Sequence, residues 1–360
     1  MPTLQAPAHG LNESYSDKLP NRALETKVLC SSVDQTDFSV VFLSAMLLDS
    51  LWVLIGLGLL YFGADWLVKG SSSLALRFGL SALVVGLTVV AYGTSMPELV
   101  VSVKAALAGQ SQLAIGNVVG SNIFNVAAIL GIAALIFPIK IQFQLIRFDV
   151  PLMIAVSLLA MFFLRDGLLE RWEASILFCG ILIYTIGSLI YAKRHTPDAV
   201  HAEFDESVPK VQGTMWSDIG FIVGGMLLLI LGSHFLVDGS IGLARTFGIS
   251  EAVIGLTIVA AGTSTPELAA TVVAAMKKEA DIAVGNIVGS NIYNLLCILG
   301  AAGLVHPLEV GGVTWIDFGV MLGVSVLLIP FMISGFVLKR WEGVVLLAIY
   351  VGYIAWLWPK

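Results

Sequence analysis

Long apolar runs alternate with short polar breaks along this chain. Ten runs are long enough to cross a bilayer, near 46–67, 81–107, 112–135, 147–164, 172–192, 217–237, 249–275, 281–304, 315–335 and 341–358. Each approaches the roughly 20 residues that a hydrocarbon core demands of a helix. Strands of a membrane barrel would instead alternate over about ten residues, and lipid admits only helices or closed barrels. The pattern predicts an all-α integral membrane protein with ten transmembrane helices. Residues 1–45 form a predicted extension, polar and mixed to about residue 37. No basic segment there runs straight into an apolar one, so the expectation is a disordered tail rather than a cleaved signal peptide. Met46 precedes the first long apolar run. The longest polar break, 193–216, separates two halves of five runs each, 46–192 and 217–360.

Those halves repeat. At an offset of 169 positions, GLTVVAYGTSMPELVVSV from Gly86 lies on GLTIVAAGTSTPELAATV from Gly255, and AIGNVVGSNIFN from Ala114 lies on AVGNIVGSNIYN from Ala283. About 29 of the 54 positions from Gly86 to Ile139 are identical without a gap. The same offset joins Gly70-Ser71 to Gly239-Ser240 and Arg171-Trp172-Glu173 to Arg340-Trp341-Glu342. One register held over more than a hundred residues marks an internal duplication, with a period far too long for a solenoid. An odd number of spans per half makes the second copy enter from the opposite side. The expectation is two inverted five-helix repeats joined by the 193–216 loop, an arrangement of secondary transporters with the site between the copies.

Composition supports lipid as the solvent. Hydrophobic residues make up 58% of the chain, charged residues 12%, and the mean hydropathy is +0.92. A soluble domain carries roughly a quarter charged residues. An ordinary cytosolic enzyme, a nucleic-acid binder and a disordered scaffold are therefore excluded. Cys30, Cys179 and Cys297 lie far apart and form neither a disulfide framework nor a zinc motif. If the amino terminus lies outside, the inner loops hold eleven Lys and Arg against five in the outer loops and carboxyl end. That bias places both termini outside the cytoplasm, in a plasma (inner) membrane, with the 193–216 loop inside. Trp172, Trp341, Trp356 and Trp358 sit at span ends, as an aromatic belt requires. Asp149 and Asp317 flank spans and are expected at the membrane surface. His234, its counterpart Asp65, and Asp238 read as interface groups.

Glu98 and Glu267 point to the chemistry. Each lies in mid-span, where a carboxylate costs at least about 2.5–3.5 kcal/mol. They occupy equivalent positions of inverted copies and so converge on one place. The nearest cation is Lys104, and the second copy has Val273 there. The bland alternative is a pair of glutamates that hydrogen-bond helices together; the sharper one is a cation site. In GTSMPE and GTSTPE, Pro97 and Pro266 remove a backbone donor and release the carbonyls of Gly93 and Gly262, which lipid tolerates only where they face a cavity or an ion. A simple kink is the alternative. Thr94, Ser95, Thr263 and Ser264 add hydroxyls. The second motif adds Asn117, Ser121, Asn122 and Asn125, with Asn286, Ser290, Asn291 and Asn294. Asn117, Ser121 and Asn125 share one helix face, as do their counterparts. For Asn122 and Asn291, interhelical packing is a strong alternative. Every one of these donors is oxygen, and His and Cys are absent. A hard cation is implied, calcium before magnesium, and sodium can use the same oxygens.

The doubled motif closely resembles the paired alpha-repeats of the calcium/cation antiporter superfamily, and within it prokaryotic sodium/calcium exchangers. The resemblance runs from about Met46 to the end. It implies that the second, third, seventh and eighth helices build the ion sites and that the first and sixth slide past them. Carried over by motif position, calcium would be held by Glu98, Glu267 and the carbonyls of Thr94 and Thr263. Sodium would use Ser95, Ser121, Ser264, Ser290, the carbonyls of Ala91 and Ala260, and both glutamates. Asn125 and Asn294 would line the centre. Relatives that use potassium carry Asp at the place of Asn294, and proton-coupled relatives carry Glu at the places of Gly120 and Gly289, so both couplings are disfavoured here.

The function implied is a secondary antiporter exchanging sodium for calcium by alternating access, electrogenically. A cation/proton antiporter is the alternative, and a channel with the same motifs is a third reading. A membrane-embedded enzyme is disfavoured, since the sequence shows no His cluster, no GxSxG elbow and no paired intramembrane Asp. No cofactor, nucleic acid or obligatory protein partner is implied; the expected partners are calcium, sodium and the bilayer.

Overall fold

The computed structural model describes residues 35–195, 214–249 and 260–357. The chain before Gln35, most of the 193–216 linker and the first part of the seventh predicted span lie outside them. Helix α1 runs Gln35–Phe78, beginning before Met46, because the apolar run Phe38–Leu43 extends the helical pattern backwards. The second predicted span is broken: α2 (Ala82–Thr94) and α3 (Met96–Leu107) meet at 47°. Then come α4 (Ser111–Ile136), α5 (Leu145–Asp166) and α6 (Arg171–His195). The second half has α7 (Met215–Thr246), α8 (Ala260–Gly262), α9 (Thr265–Met276), α10 (Ala280–Val305), α11 (Trp315–Ile333) and α12 (Arg340–Leu357). Eight single helices and the bent pair are long and apolar enough to cross a membrane. Of the seventh predicted span, 249–275, only α8 and α9 lie among the described residues.

The core forms around α4 and α10. Every residue in the apolar window of α10 is buried, whereas α1, α6 and α12 leave most of theirs uncovered. Small and amide residues in AVGNIVGSN permit this, since a helix of Gly, Ala and Asn can be surrounded closely. At Gly285 an added Cβ would lie 2.9 Å from the Leu83 carbonyl, so α10 touches the backbone of α2.

The contact between α1 and α7 is built from glycines one heptad apart. Gly56, Gly63 and Gly70 run antiparallel to Gly225, Gly232 and Gly239: Gly56 faces Gly232 and Gly63 faces Gly225, while Gly70 packs on Asp218 and Phe221, and Gly239 on Asp49 and Val53. A Cβ on Gly63 would meet the Leu229 amide at 2.8 Å, and one on Gly232 would meet the Leu60 amide at 2.8 Å. The offset of 169 relates the two triplets residue by residue. At one end Asp218 accepts from Arg77 Nε and Ser73 Oγ, both at 2.8 Å. Asp65 pairs with Lys277 at 2.5 Å, while its counterpart His234 pairs with Asp238 along its own helix at 3.3 Å.

Short strands tie the halves together. Strand β1 (Ile139–Lys140) pairs antiparallel with β4 (Val337–Leu338), and β2 (Leu168–Leu169) with β3 (Leu308–Glu309). Each pair therefore joins the loop after the third span of one half to the loop after the fourth span of the other. The repeated Arg-Trp-Glu starts a helix in both halves: Glu173 accepts from the Glu170 amide at 2.9 Å, and Glu342 from the Lys339 amide at 2.7 Å.

Candidate ion-binding site

The site forms where two helices are interrupted. Ser95 leaves helical geometry (φ −84°, ψ 8°), and so does Ser264 (φ −87°, ψ 9°). Pro97 and Pro266 sit in the first turns of α3 and α9, where a missing N–H costs nothing. Glu98 and Glu267 follow in the same first turns, so each carboxylate lies at a positive helix end. Both are buried, at 1% and 0% exposure. Of the carbonyls released by proline, that of Gly262 is taken by Ser233 Oγ of α7 at 2.6 Å, so this carbonyl serves helix contact rather than ion binding.

The halves cross over at the glutamates. Ser95 donates to Glu267 Oε1 at 2.7 Å, and Ser264 donates to Glu98 Oε1 at 2.9 Å. Ser264 also reaches Ser121 at 3.1 Å, and Ser290 donates to the Ala91 carbonyl at 3.4 Å. Two clusters result. One holds Ala91 and Ser95 with Glu267 and Ser290; the other holds Ser264 with Glu98 and Ser121. Thr94, Ser121, Ser290, Asn125 and Asn294 are buried and Thr263 is half-buried. Ala260 begins α8, next to residues outside the described set.

Four asparagines are linked in a chain across the two halves, with Asn122 and Asn291 in the middle and Asn125 and Asn294 at its ends. Asn122 donates to the Asn291 carbonyl and Asn291 to the Asn122 carbonyl, both at 3.3 Å. Asn125 donates to Asn291 Oδ1 at 3.0 Å, and Asn294 to Asn122 Oδ1 at 2.9 Å. Asn125 and Asn294 each donate one amide hydrogen to this chain, and their oxygens remain. Asn125 Oδ1, Asn294 Oδ1, Glu98 Oε2 and Glu267 Oε2 are all buried without a hydrogen-bond partner among the described residues. An unsatisfied buried acceptor costs about 1–3 kcal/mol. Four such acceptors, related in pairs by the repeat, have the chemistry to receive a donor-free ligand such as a cation. Among the described residues no three His, Cys, Asp or Glu side chains cluster, so a cation here would rest on two carboxylates and neutral oxygens.

Asn117 and Asn286, which the motif places on the ion-facing side of their helices, act as struts. Asn117 donates to the Glu98 carbonyl (3.2 Å) and Ser102 Oγ (2.9 Å), and accepts from Thr263 of the other half (3.4 Å). Asn286 repeats this with the Glu267 carbonyl (3.3 Å), Thr271 (2.9 Å) and Thr94 (3.1 Å). Ser102 and Thr271 carry no sequence signal beyond the offset that relates them. Asp149 and Asp317, expected at the surface, are buried, at 4% and 7% exposure.

The chain matches the family described as "Sodium/calcium exchanger protein" twice, over residues 49–190 and 217–358. It is 35% identical over 339 residues to the sodium/calcium exchanger MaX1 of Methanosarcina acetivorans, covering 84% of this chain and 96% of that one. It is 37% identical to the inner membrane protein YrbG of Escherichia coli, covering 78% and 88%. Among solved structures it is similar to the sodium-calcium exchanger NCX_Mj soaked with zero Na+ and Ca2+, at TM-score 0.75 and 30% identity, over 87% of this chain and 99% of that one.

Proposed function

The chain belongs to the sodium/calcium exchanger protein family, and we propose that it exchanges sodium for calcium across a membrane by alternating access. The observation that carries this reading is the set of four buried, unpartnered oxygens on Glu98, Glu267, Asn125 and Asn294. Calcium takes 6–8 oxygens in flexible geometry. In this reading the two carboxylates bind it with the carbonyls of Thr94 and Thr263, while Asn125 and Asn294 line the centre. Sodium takes the two serine clusters, with the Ala91 and Ala260 carbonyls and the same two glutamates. Calcium and sodium then compete for the carboxylates, which couples their movements. If more than two sodium ions exchange for each calcium, the exchange moves net charge.

The inverted ten-helix arrangement follows in the same reading. The loops after the third and fourth spans lie at opposite ends of the fourth. Pairing of β1 with β4, and of β2 with β3, brings the third-span loop of one half beside the fourth-span loop of the other. Copies running in the same direction would separate those loops by a membrane thickness. Both termini lie outside the cytoplasm of a plasma membrane, with the 193–216 linker inside, in keeping with the Lys and Arg count. Proton coupling is disfavoured by Gly120 and Gly289, which offer no carboxylate. The test is labelled-calcium uptake into sodium-loaded proteoliposomes diluted into sodium-free potassium buffer. Uptake that needs internal sodium supports the reading; uptake driven equally by a pH gradient overturns the coupling ion.

A further inference from the structure

A second buried carboxylate lies away from the ion site, between the start of α5 and the end of α6. The two halves place their aspartates one position apart: at the offset of 169, Asp149 falls on Phe318 and Asp317 on Phe148. In the second half Tyr353 donates to Asp317 Oδ1 at 2.7 Å, and Asp317 Oδ2 accepts from the Thr314 amide (2.6 Å) and hydroxyl (2.8 Å), capping α11. Three short bonds saturate that carboxylate. In the first half the tyrosine is kept, as Tyr184, but the cap is gone. The chain makes a wide π-type turn over Leu145–Asp149, and the helix runs straight through Asp149. Asp149 accepts from Gln144 Nε2 at 3.3 Å and from Tyr184 at 3.4 Å. Two long bonds from neutral donors leave a 4%-exposed carboxylate short of hydrogens, and among the described residues no basic side chain pairs with it.

This carboxylate faces a cavity of about 200 Å³, lined also by Gln144, Phe148, Tyr184, Ser188 and Tyr191. Phe148 and Tyr191 lie ring against ring, 5.6 Å between centroids. The Arg147 guanidinium covers the outer side of Phe148, at 5.6 Å from its centroid. Leu152 and Tyr184 belong at once to this cavity and to a second one, of about 550 Å³. The second cavity is almost wholly apolar, walled by Val156, Leu159, Ile176, Ile183 and Leu296 along the seam of α5 and α6.

We propose that these joined cavities hold one membrane phospholipid with an ammonium headgroup. The ammonium supplies the hydrogens that Asp149 lacks, against the aromatic faces of Phe148 and Tyr191 that favour a cation. The phosphate lies within reach of Arg147, and an acyl chain fills the apolar groove. Charge complementarity selects the headgroup: a buried carboxylate rejects an anionic headgroup without an amine. Leu296 lies in the turn that begins at Asn294, so an acyl chain in the groove touches the helix that carries the central asparagines.

The test is native mass spectrometry of the full chain released from micelles containing equal phosphatidylethanolamine and phosphatidylglycerol. The wild type should retain the amine lipid about tenfold over the glycerol lipid, as one charge-assisted hydrogen bond implies. Asp149→Asn, of nearly the same shape, should bring that ratio close to one. Arg147→Gln should lower retention of both lipids together. Equal retention of the two lipids by the wild type, or an unchanged preference in Asp149→Asn, would overturn the proposal. Competition by free glycerophosphoethanolamine as effective as by the lipid itself would overturn the acyl groove.

Discussion

Ser95 of the first half donates its hydroxyl hydrogen to Glu267 of the second, 2.7 Å away, and Ser264 returns the bond to Glu98. Each carboxylate is thus oriented by the half it does not belong to. One oxygen of each glutamate is held by a serine while the other stays open. Ser95→Ala therefore frees the Glu267 side chain to turn without removing charge. In sodium-driven calcium flux, half-activation by sodium should rise roughly tenfold, about the worth of one hydrogen bond to a charged group. Half-saturation by calcium should change by less than about twofold. Equal loss of both ions' apparent affinities would refute the separate sodium cluster.

Glu98→Gln and Glu267→Gln each remove half of the site's charge and keep its shape. Calcium flux should fall to the background of empty vesicles in both variants. Because the lost carboxylate oxygen has no protein partner among the described residues, thermal unfolding in detergent should not be lowered. Near wild-type flux in either variant would remove that glutamate from the site.

The glycine seam between α1 and α7 predicts a sharp contrast between glycines. Gly232→Ala places a methyl 2.8 Å from the Leu60 amide, where backbone must move, and should cost about 1–3 kcal/mol. Gly220→Ala, on the same helix, meets nothing within 4 Å and should be neutral or stabilising by up to about 1 kcal/mol. Thermal unfolding of the two variants in one detergent settles this; equal midpoints would mean that the seam tolerates side chains.

Two acidic residues of the same helix pair should differ in the same assay. Asp218 has a 3%-exposed side chain and holds both Arg77 and Ser73. Asp218→Ala removes the buried acceptor shared by Arg77 and Ser73 and should cost about 1–3 kcal/mol. Asp65 is a third exposed in its pair with Lys277, and Asp65→Ala should cost no more than about 1 kcal/mol. A larger loss from Asp65 than from Asp218 would contradict the burial of the latter pair.

The parts legible in the sequence are those where one residue type is costly in lipid. Glu98 and Glu267 stand out because a carboxylate in an apolar run demands a reason, and the offset doubles the demand. The break at Ser95 could be read from Pro97. The glycine heptads were open to reading too, since Gly56, Gly63 and Gly70 recur as Gly225, Gly232 and Gly239, but only the antiparallel register shows that Gly56 meets Gly232 and Gly63 meets Gly225. The asparagines were legible as polar and shared, not as a linked chain or as struts. Asn117 and Ser121 occupy one helix face, yet the bend after Thr94 sends Asn117 to the Glu98 carbonyl. The two-residue strands at Ile139 and Leu168 are too short to leave a pattern, and they form only between halves. Asp149 and Asp317 look alike in sequence, and only the wide turn before Asp149 separates a capping carboxylate from an open one.

The central claim is that Glu98 and Glu267 together form one cation site shared by calcium and sodium. Equilibrium binding of labelled calcium to the purified full chain, titrated with sodium, tests it most directly. Wild-type protein should bind calcium, sodium should displace it completely, and the Glu98→Gln/Glu267→Gln double variant should bind none. Calcium bound by the double variant with wild-type affinity, or calcium that sodium cannot displace, would contradict the account.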